Sequence, residues 1–254
     1  MLGLASTIQK TAEGYPQYRT RNSCTFTAGS EELITLGTPG SDFRVDGKDW
    51  AVSGWIKFTD DASSVANTDG NILLNAGSAT AGIVINYLDL VGDDEKFTVV
   101  TADSGGADAH LDTTNLAHDT WYHFVATYDA TETTSKVYVN GALSSTKTDL
   151  DAPAAYSGTV DIGSDSGDYI SAIECELIFW KEILLSAAQI EGLYNNGRPR
   201  NGLSCERDKI IGYWRLNAVD DTGSNNVIDY SGNGHHGTTS NLSSGDFDTT
   251  DVPK

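Results

Sequence analysis

The feature that most restricts this chain is a recurring short segment in which apolar residues alternate with small or polar ones. In WAVSGWIKF (50–58), Trp50, Val52, Gly54, Ile56 and Phe58 form one set. Ala51, Ser53 and Lys57 form the other, with Trp55 as an exception. A period of two places alternate side chains on opposite faces of a strand. WYHFVATYD (121–129) repeats it: Tyr122, Phe124, Ala126 and Tyr128 alternate with Trp121, His123, Val125 and Thr127. NILLNAG (71–77), AGIVINYL (81–88), KFTVVTA (96–102), TVDIGS (159–164), ECELIFW (174–180) and IIGYWRLN (210–217) read as further strands. Clusters of Gly, Asp, Asn and Ser separate them. Within KVYVNGALSS (136–145), Asn140-Gly141 supplies the positive φ angles of a type I′ hairpin turn. Many short strands divided by turn residues predict an all-β chain, a two-sheet antiparallel β-sandwich of jelly-roll type.

One segment breaks the alternation. Ser186 with Gln189 three residues later forms a capping box, and Leu185 and Ile190 are spaced for a hydrophobic staple. A single short helix is predicted from about Ala187 to Asn195, with Gly197 as its left-handed stop. Too short to stand alone, it must dock an apolar face on the sheets.

These motifs lie between Ser23 and about residue 240 with no composition break, so one domain is expected over 23–240. A length of 254 residues suits a single sandwich. Residues 1–22 are polar and irregular and are expected to form an N-terminal arm. Residues 241–254, ending SSGDFDTTDVPK, are expected to be an acidic tail outside the core. The arm carries Lys10, Arg19 and Arg21, and both ends are expected to serve assembly.

Charge narrows the partners. Sixteen Lys and Arg stand against 36 Asp and Glu, a formal charge of -20. Such a chain repels phosphate backbones, so nucleic acid is excluded, and anionic membranes are disfavoured. No apolar run is long enough for membrane insertion. MLGLASTIQK lacks the basic-then-apolar layout of a secretion leader, so the chain is expected to be made and kept, or assembled, in a cytoplasm. Cys24, Cys175 and Cys205 are widely spaced, fit no metal pattern and allow one bridge at most.

No catalytic residue is expected. A retaining glycosidase needs two carboxylates about 5 Å apart across the scissile bond. The string E-x-D-x-x-E that would place them on one strand is absent. Glu174 and Glu176 come nearest, two acids on one strand face, but the third acid is missing. The reading preferred for them is structural, one holding a loop and the other facing solvent. No G-x-S-x-G elbow, P-loop or dinucleotide fingerprint occurs. His110, His118, His123, His235 and His236 have no H-E-x-x-H spacing.

Two loops have the chemistry of a hard-cation site, which wants six to eight oxygens. Ser164-Asp165-Ser166-Gly167-Asp168 follows a strand, and Asp229-Tyr230-Ser231-Gly232-Asn233-Gly234 is glycine-rich. Asp165, Asp168, Asp229 and Asn233 are therefore candidate calcium ligands. The competing reading is an Asx turn that satisfies its own backbone. Trp55, on the polar face of its strand, and Tyr169, beside the first loop, are candidate glycan platforms. The alternative is burial.

Several strings together resemble the laminin G-like, concanavalin A-like lectin/glucanase superfamily, in its pentraxin-like branch. They are WAVSGWIKF, WYHFVATYD followed by KVYVNG, ISAIECELIFWKEILLSAAQIEGLYNNG, and DYSGNGHHGT (229–238). Two departures stand out: Glu174 replaces the family's usual Asp, and the D-x-S-G-N-G loop follows the helix instead of opening the domain. MLGL (1–4), CTFTAGSEELITLG (24–37), YWRLN (213–217) and DTTDVP (248–253) resemble proteins of this superfamily from tailed phages and marine viruses. The resemblance implies a non-catalytic structural protein of a virus particle, a head decoration or glycan-adhesion protein. Its partners would be other virion proteins, of capsid or tail, host-surface glycans and copies of itself. A bacterial carbohydrate-binding lectin and a diverged glycoside hydrolase are the competing readings.

Overall fold

The computed structural model describes residues 18, 20, 22–38, 40–59, 70–78, 81–88, 96–102, 108–165, 168–217, 226–248 and 251–254. The large sheet is antiparallel. Its order is Ala142–Lys147, Thr134–Val139, Trp121–Asp129, Trp50–Phe58, Ala172–Lys181, Ser23–Phe26 and Phe247–Asp248. An eighth strand, Ile210–Trp214, pairs with the second half of Ala172–Lys181. The described residues also form two four-stranded sheets and a two-stranded one, Ser164–Asp165 with Asp168–Tyr169. One four-stranded sheet orders Val160–Ile162, Leu33–Gly37, Gly237–Ser240 and Asn226–Val227, and the other is the meander from Gly70–Ser78 to Asp108–Asp112.

The alternation locates the core. Trp50, Val52, Ile56 and Phe58 point into one apolar cluster with Phe124 of the neighbouring strand. Ile34 and Ile162 join it from one smaller sheet, and Ile83, Ile85 and Phe97 from the other, so this cluster ties the sheets together. Each such side chain contributes about 1.5–3 kcal/mol through burial. Gly54 sits where a β-carbon would overlap Leu177 and Phe124, so the centre of the strand needs glycine for close approach.

The outer face of the large sheet is also covered. Ala51, Val125, Ile178 and Trp180 pack against Leu185, Ile190 and Leu193 of the helical segment. The helix spans Ala187–Tyr194 and carries the expected box: Ser186 Oγ accepts from Gln189 N–H at 3.3 Å, and Gln189 Oε1 accepts from Ser186 N–H at 2.8 Å. The left-handed stop comes at Asn195 (φ 47°), two residues before the expected Gly197. Asn tolerates this conformation because its short polar side chain bonds locally, here Asn195 Nδ2 to the Arg198 carbonyl at 3.1 Å. The expected turn at Asn140-Gly141 has φ of 51° and 79°.

Both chain ends correct the expected domain limits. Leu242 and Phe247 belong to the core, and Phe247–Asp248 pairs with Ser23–Phe26. Asp251 accepts from Trp121 Nε1 at 3.0 Å and from Lys57 Nζ. Residues 241–254 are thus not a tail outside the core; isolated apolar residues among polar ones are enough to seat an edge segment. At the other end, Tyr18, Thr20 and Asn22 are bonded to the body, so the segment 1–22 is not wholly an arm. Residues 1–17 lie outside the described residues.

Candidate functional site

The two strand acids do not share a face. Between Cys175 and Ile178 the register with Trp50–Phe58 shifts, and Glu176 adopts a left-handed φ of 56°. This bulge breaks the alternation. Glu174 lies opposite Cys24 and Ile56, both members of the inter-sheet core. It is 0% exposed and neither carboxylate oxygen has a hydrogen-bond partner. Burial pushes its pKa well above the usual carboxylate range. Neither acid faces solvent, which corrects half of the expected structural roles.

Glu176 is also buried but fully served. It accepts from Tyr18 Oη at 2.6 Å, from Thr20 Oγ1 at 2.7 Å and from the Tyr213 hydroxyl. Arg215 Nε lies 3.8 Å away, and its guanidinium stands 4.9 Å from the Tyr18 ring centroid. Burial, then the neighbouring Glu176 charge, raises the pKa of Tyr18 and of Tyr213, so both keep the protons they donate. Glu176 thereby holds the N-terminal segment on the body.

The expected calcium ligands separate into two places. Asp229 accepts from the N–H groups of Tyr213 (3.0 Å), Ser231 (2.8 Å) and His235 (3.0 Å), and from Ser231 Oγ at 2.7 Å. A carboxylate offers about four lone-pair sites, so this one is saturated by protein donors. Asn233 Nδ2 donates to the carbonyls of Ile210 (2.8 Å) and Ile211 (3.0 Å). Asp229 and Asn233 therefore build the Asx-type turn, and their donor set does not fit a cation. Asp165 and Asp168 pair across a hairpin of Ser164–Asp165 with Asp168–Tyr169; their side chains lie outside the described residues. Among the described residues, no three His, Cys, Asp or Glu side chains gather as a metal site.

Of the two aromatic candidates, Trp55 is corrected. It is 3% exposed, with its ring stacked on Tyr194 at 5.9 Å and tilted against His123 at 5.0 Å. The end of the helix covers it, which explains an aromatic on the otherwise polar face. Tyr169 is half-buried. Ser53 Oγ and His123 Nε2 lie 2.9 Å apart, a hydroxyl and a base, yet each is 2% exposed. Burial lowers the His123 pKa to about 3. The three cysteines are free and buried.

An open cavity of about 460 Å³ lies where Tyr18 and Thr20 and residues 252–254 meet the segment after the helix. Tyr18 and Thr20 line one side, and Asn195, Arg198 and Pro199 another. Val252, Pro253 and Lys254 complete it. The volume falls in the usual range for small-ligand pockets, about 300–1,000 Å³. A smaller cavity of about 270 Å³ lies between the helix and the Arg200–Glu206 segment. None of the residues lining the larger one follows from strand or loop patterns. The available signal was the Asp251-Val252-Pro253 string, which carried a resemblance without a role.

Residues 29–191 match the family described as the concanavalin A-like lectin/glucanases superfamily. None of the curated proteins matches the chain. Among solved structures, a Bacteroides ovatus protein provisionally described as carbohydrate-binding superimposes with a TM-score of 0.65 at 16% identity. The match covers 93% of this chain, which spans 62% of that structure. A native heptameric SAP-like pentraxin from Limulus polyphemus superimposes with a TM-score of 0.52 at 16% identity, over 70% of this chain and 83% of the pentraxin. At this identity the likeness is one of fold. Among the described residues, no helix is long and apolar enough to cross a membrane.

Proposed function

As the chain belongs to the concanavalin A-like lectin/glucanase superfamily, we propose that it is a non-catalytic glycan-binding protein displayed on a virus particle. The observation that carries the glycan reading is the cavity of about 460 Å³ beside Tyr18 and residues 252–254, lined by hydroxyls, an amide, two cations and the half-buried Val252. Sugar sites combine polar groups that fix hydroxyls with an apolar surface for the C–H face. The lectin-like fold shared with a bacterial protein provisionally described as carbohydrate-binding supports this reading, and a heptameric pentraxin of the same fold supports assembly into rings or clusters. The virion setting rests on the MLGL, YWRLN, DYSGNGHHGT and DTTDVP strings. That bacterial neighbour equally favours a second reading, a bacterial carbohydrate-binding module. Calcium stays in the proposal only at Asp165 and Asp168.

The glycan reading is tested by incubating the intact chain on a broad glycan array. Binding to at least one glycan class, lost in Arg198→Ala, is the expected result; no binding to any class overturns it. Copurification of the chain with particles separates the virion setting from the bacterial one. Hydrolysis of a bound glycan would return the glycoside hydrolase reading, which Glu174 and Glu176 support poorly because each is buried and they face different surroundings.

A further inference from the structure

We propose that the cavity between Tyr18, Arg198 and Lys254 selects sugars that carry a carboxylate. The inference rests on the glycan-binding reading and names its ligand class. The hydrogen-bonding inventory of the cavity carries it. Tyr18 and Thr20 already donate their hydroxyl protons inward to Glu176, at 2.6 and 2.7 Å. A hydroxyl has one proton, so each offers a ligand only lone pairs, which accept from sugar hydroxyls. The strong donors left in the cavity are cationic: the guanidinium of Arg198 and the ammonium of Lys254.

Among the described residues, neither of those two cations has a carboxylate partner. In a chain of formal charge -20, two such cations on one cavity form a local exception to the surrounding field. That field is screened beyond about 8–10 Å at ordinary salt, so the local pair decides at contact distance. Arg198 sits on a fixed turn: its N–H donates to the Asn195 carbonyl at 3.3 Å, and its carbonyl accepts from Asn195 Nδ2 at 3.1 Å. These bonds fix the backbone at Arg198, and its exposed guanidinium has the planar fork that suits bidentate pairing with a carboxylate. Glu176, a carboxylate beneath the cavity, is offset by its three hydroxyl donors and by Arg215 at 3.8 Å. Val252, half-buried at the same cavity, supplies apolar surface for the C–H face of a sugar. An acceptor-rich, anionic ring bearing hydroxyl donors completes every group in this set.

The test is isothermal titration of the intact chain with tetrasaccharides of galacturonate and of hyaluronan, and with sialyllactose. Each is paired with its carboxyl-reduced or asialo counterpart. The expected result is that at least one acidic probe binds about tenfold or more tighter than its neutral counterpart. The double variant Arg198→Gln, Lys254→Gln should erase that preference while leaving the melting temperature unchanged. Acidic and neutral forms binding equally would overturn the proposal and leave the glycan reading intact. A preference that survives the double variant would also overturn it, by placing selection elsewhere. If neither these probes nor a broad array gives binding, the glycan reading falls together with the inference.

Discussion

Glu174 and Glu176 stand two residues apart in one strand and meet opposite fates. A strict alternation would align them; the left-handed φ of Glu176 turns one into the core and the other toward Tyr213. Nothing in the string ECE announces a bulge, because a backbone φ near 56° is set by the pairing around it. The consequence at Glu174 is testable. Its pKa is raised by burial, so the stability linked to this group is present below the ordinary glutamate range and lost as pH rises toward the raised value. His123 acts oppositely: held neutral to about 3, it costs stability as pH falls below its ordinary 6.5, because the unfolded chain takes up the proton. Comparing variant with wild type at each pH cancels the histidine. Glu174→Met should stabilise the domain by about 1–3 kcal/mol at pH 8, since it removes an unserved buried acceptor. The gain should shrink as pH approaches 5, as read from urea unfolding midpoints. A variant less stable than wild type at pH 8 would show that the carboxylate is served.

At the scale of elements, the central strands of the large sheet were legible because burial on one face writes a period of two, whereas the edge strand Phe247–Asp248 was not. Trp50–Phe58 and Trp121–Asp129 fall where the alternation places them. The helix was legible from Ser186 and Gln189, whose reciprocal bonds are local. Trp55 was not, since the ring that covers it, Tyr194, lies 139 positions along and reaches it only through the helix. The 229–234 loop was legible as a turn or as a cation cage, and composition cannot separate them, because both use Asp, Asn, Ser and Gly. The geometry separates them through the four donors on Asp229. Asp229→Ala should therefore cost at least about 2 kcal/mol, leaving three buried or half-buried N–H groups unserved. The loss should be the same with and without a chelator in a thermal melt. A cost that vanishes when calcium is chelated would restore the cage.

For the whole molecule, the fold was legible and the site was not. The core is written in repeated local patterns, whereas the cavity is assembled from residues 18–20, 195–199 and 252–254, which only tertiary structure brings together. The ends were misread for a related reason. Residues near Tyr18 and Asp251 are polar, and polar composition reads as an arm or tail until their partners Glu176, Lys57 and Trp121 are in place. Deletion of residues 1–22 should thus destabilise the domain by about 2–4 kcal/mol, because Glu176 loses two of its donors while buried. The double variant Tyr18→Phe, Thr20→Val removes the same two donors and should reproduce most of that loss in urea unfolding. A double variant as stable as the intact chain would show that these bonds do not hold the segment.

The central claim is that this domain binds glycans at the cavity between Tyr18, Arg198 and Lys254. The most direct measurement is amide chemical-shift mapping of the isotope-labelled chain during titration with a glycan identified on the array. The shifts should centre on Tyr18, Thr20, Asn195, Arg198 and Lys254, with little change at Tyr169. Shifts centred on the Asp165–Tyr169 hairpin, with the residues of the cavity unmoved, would contradict it.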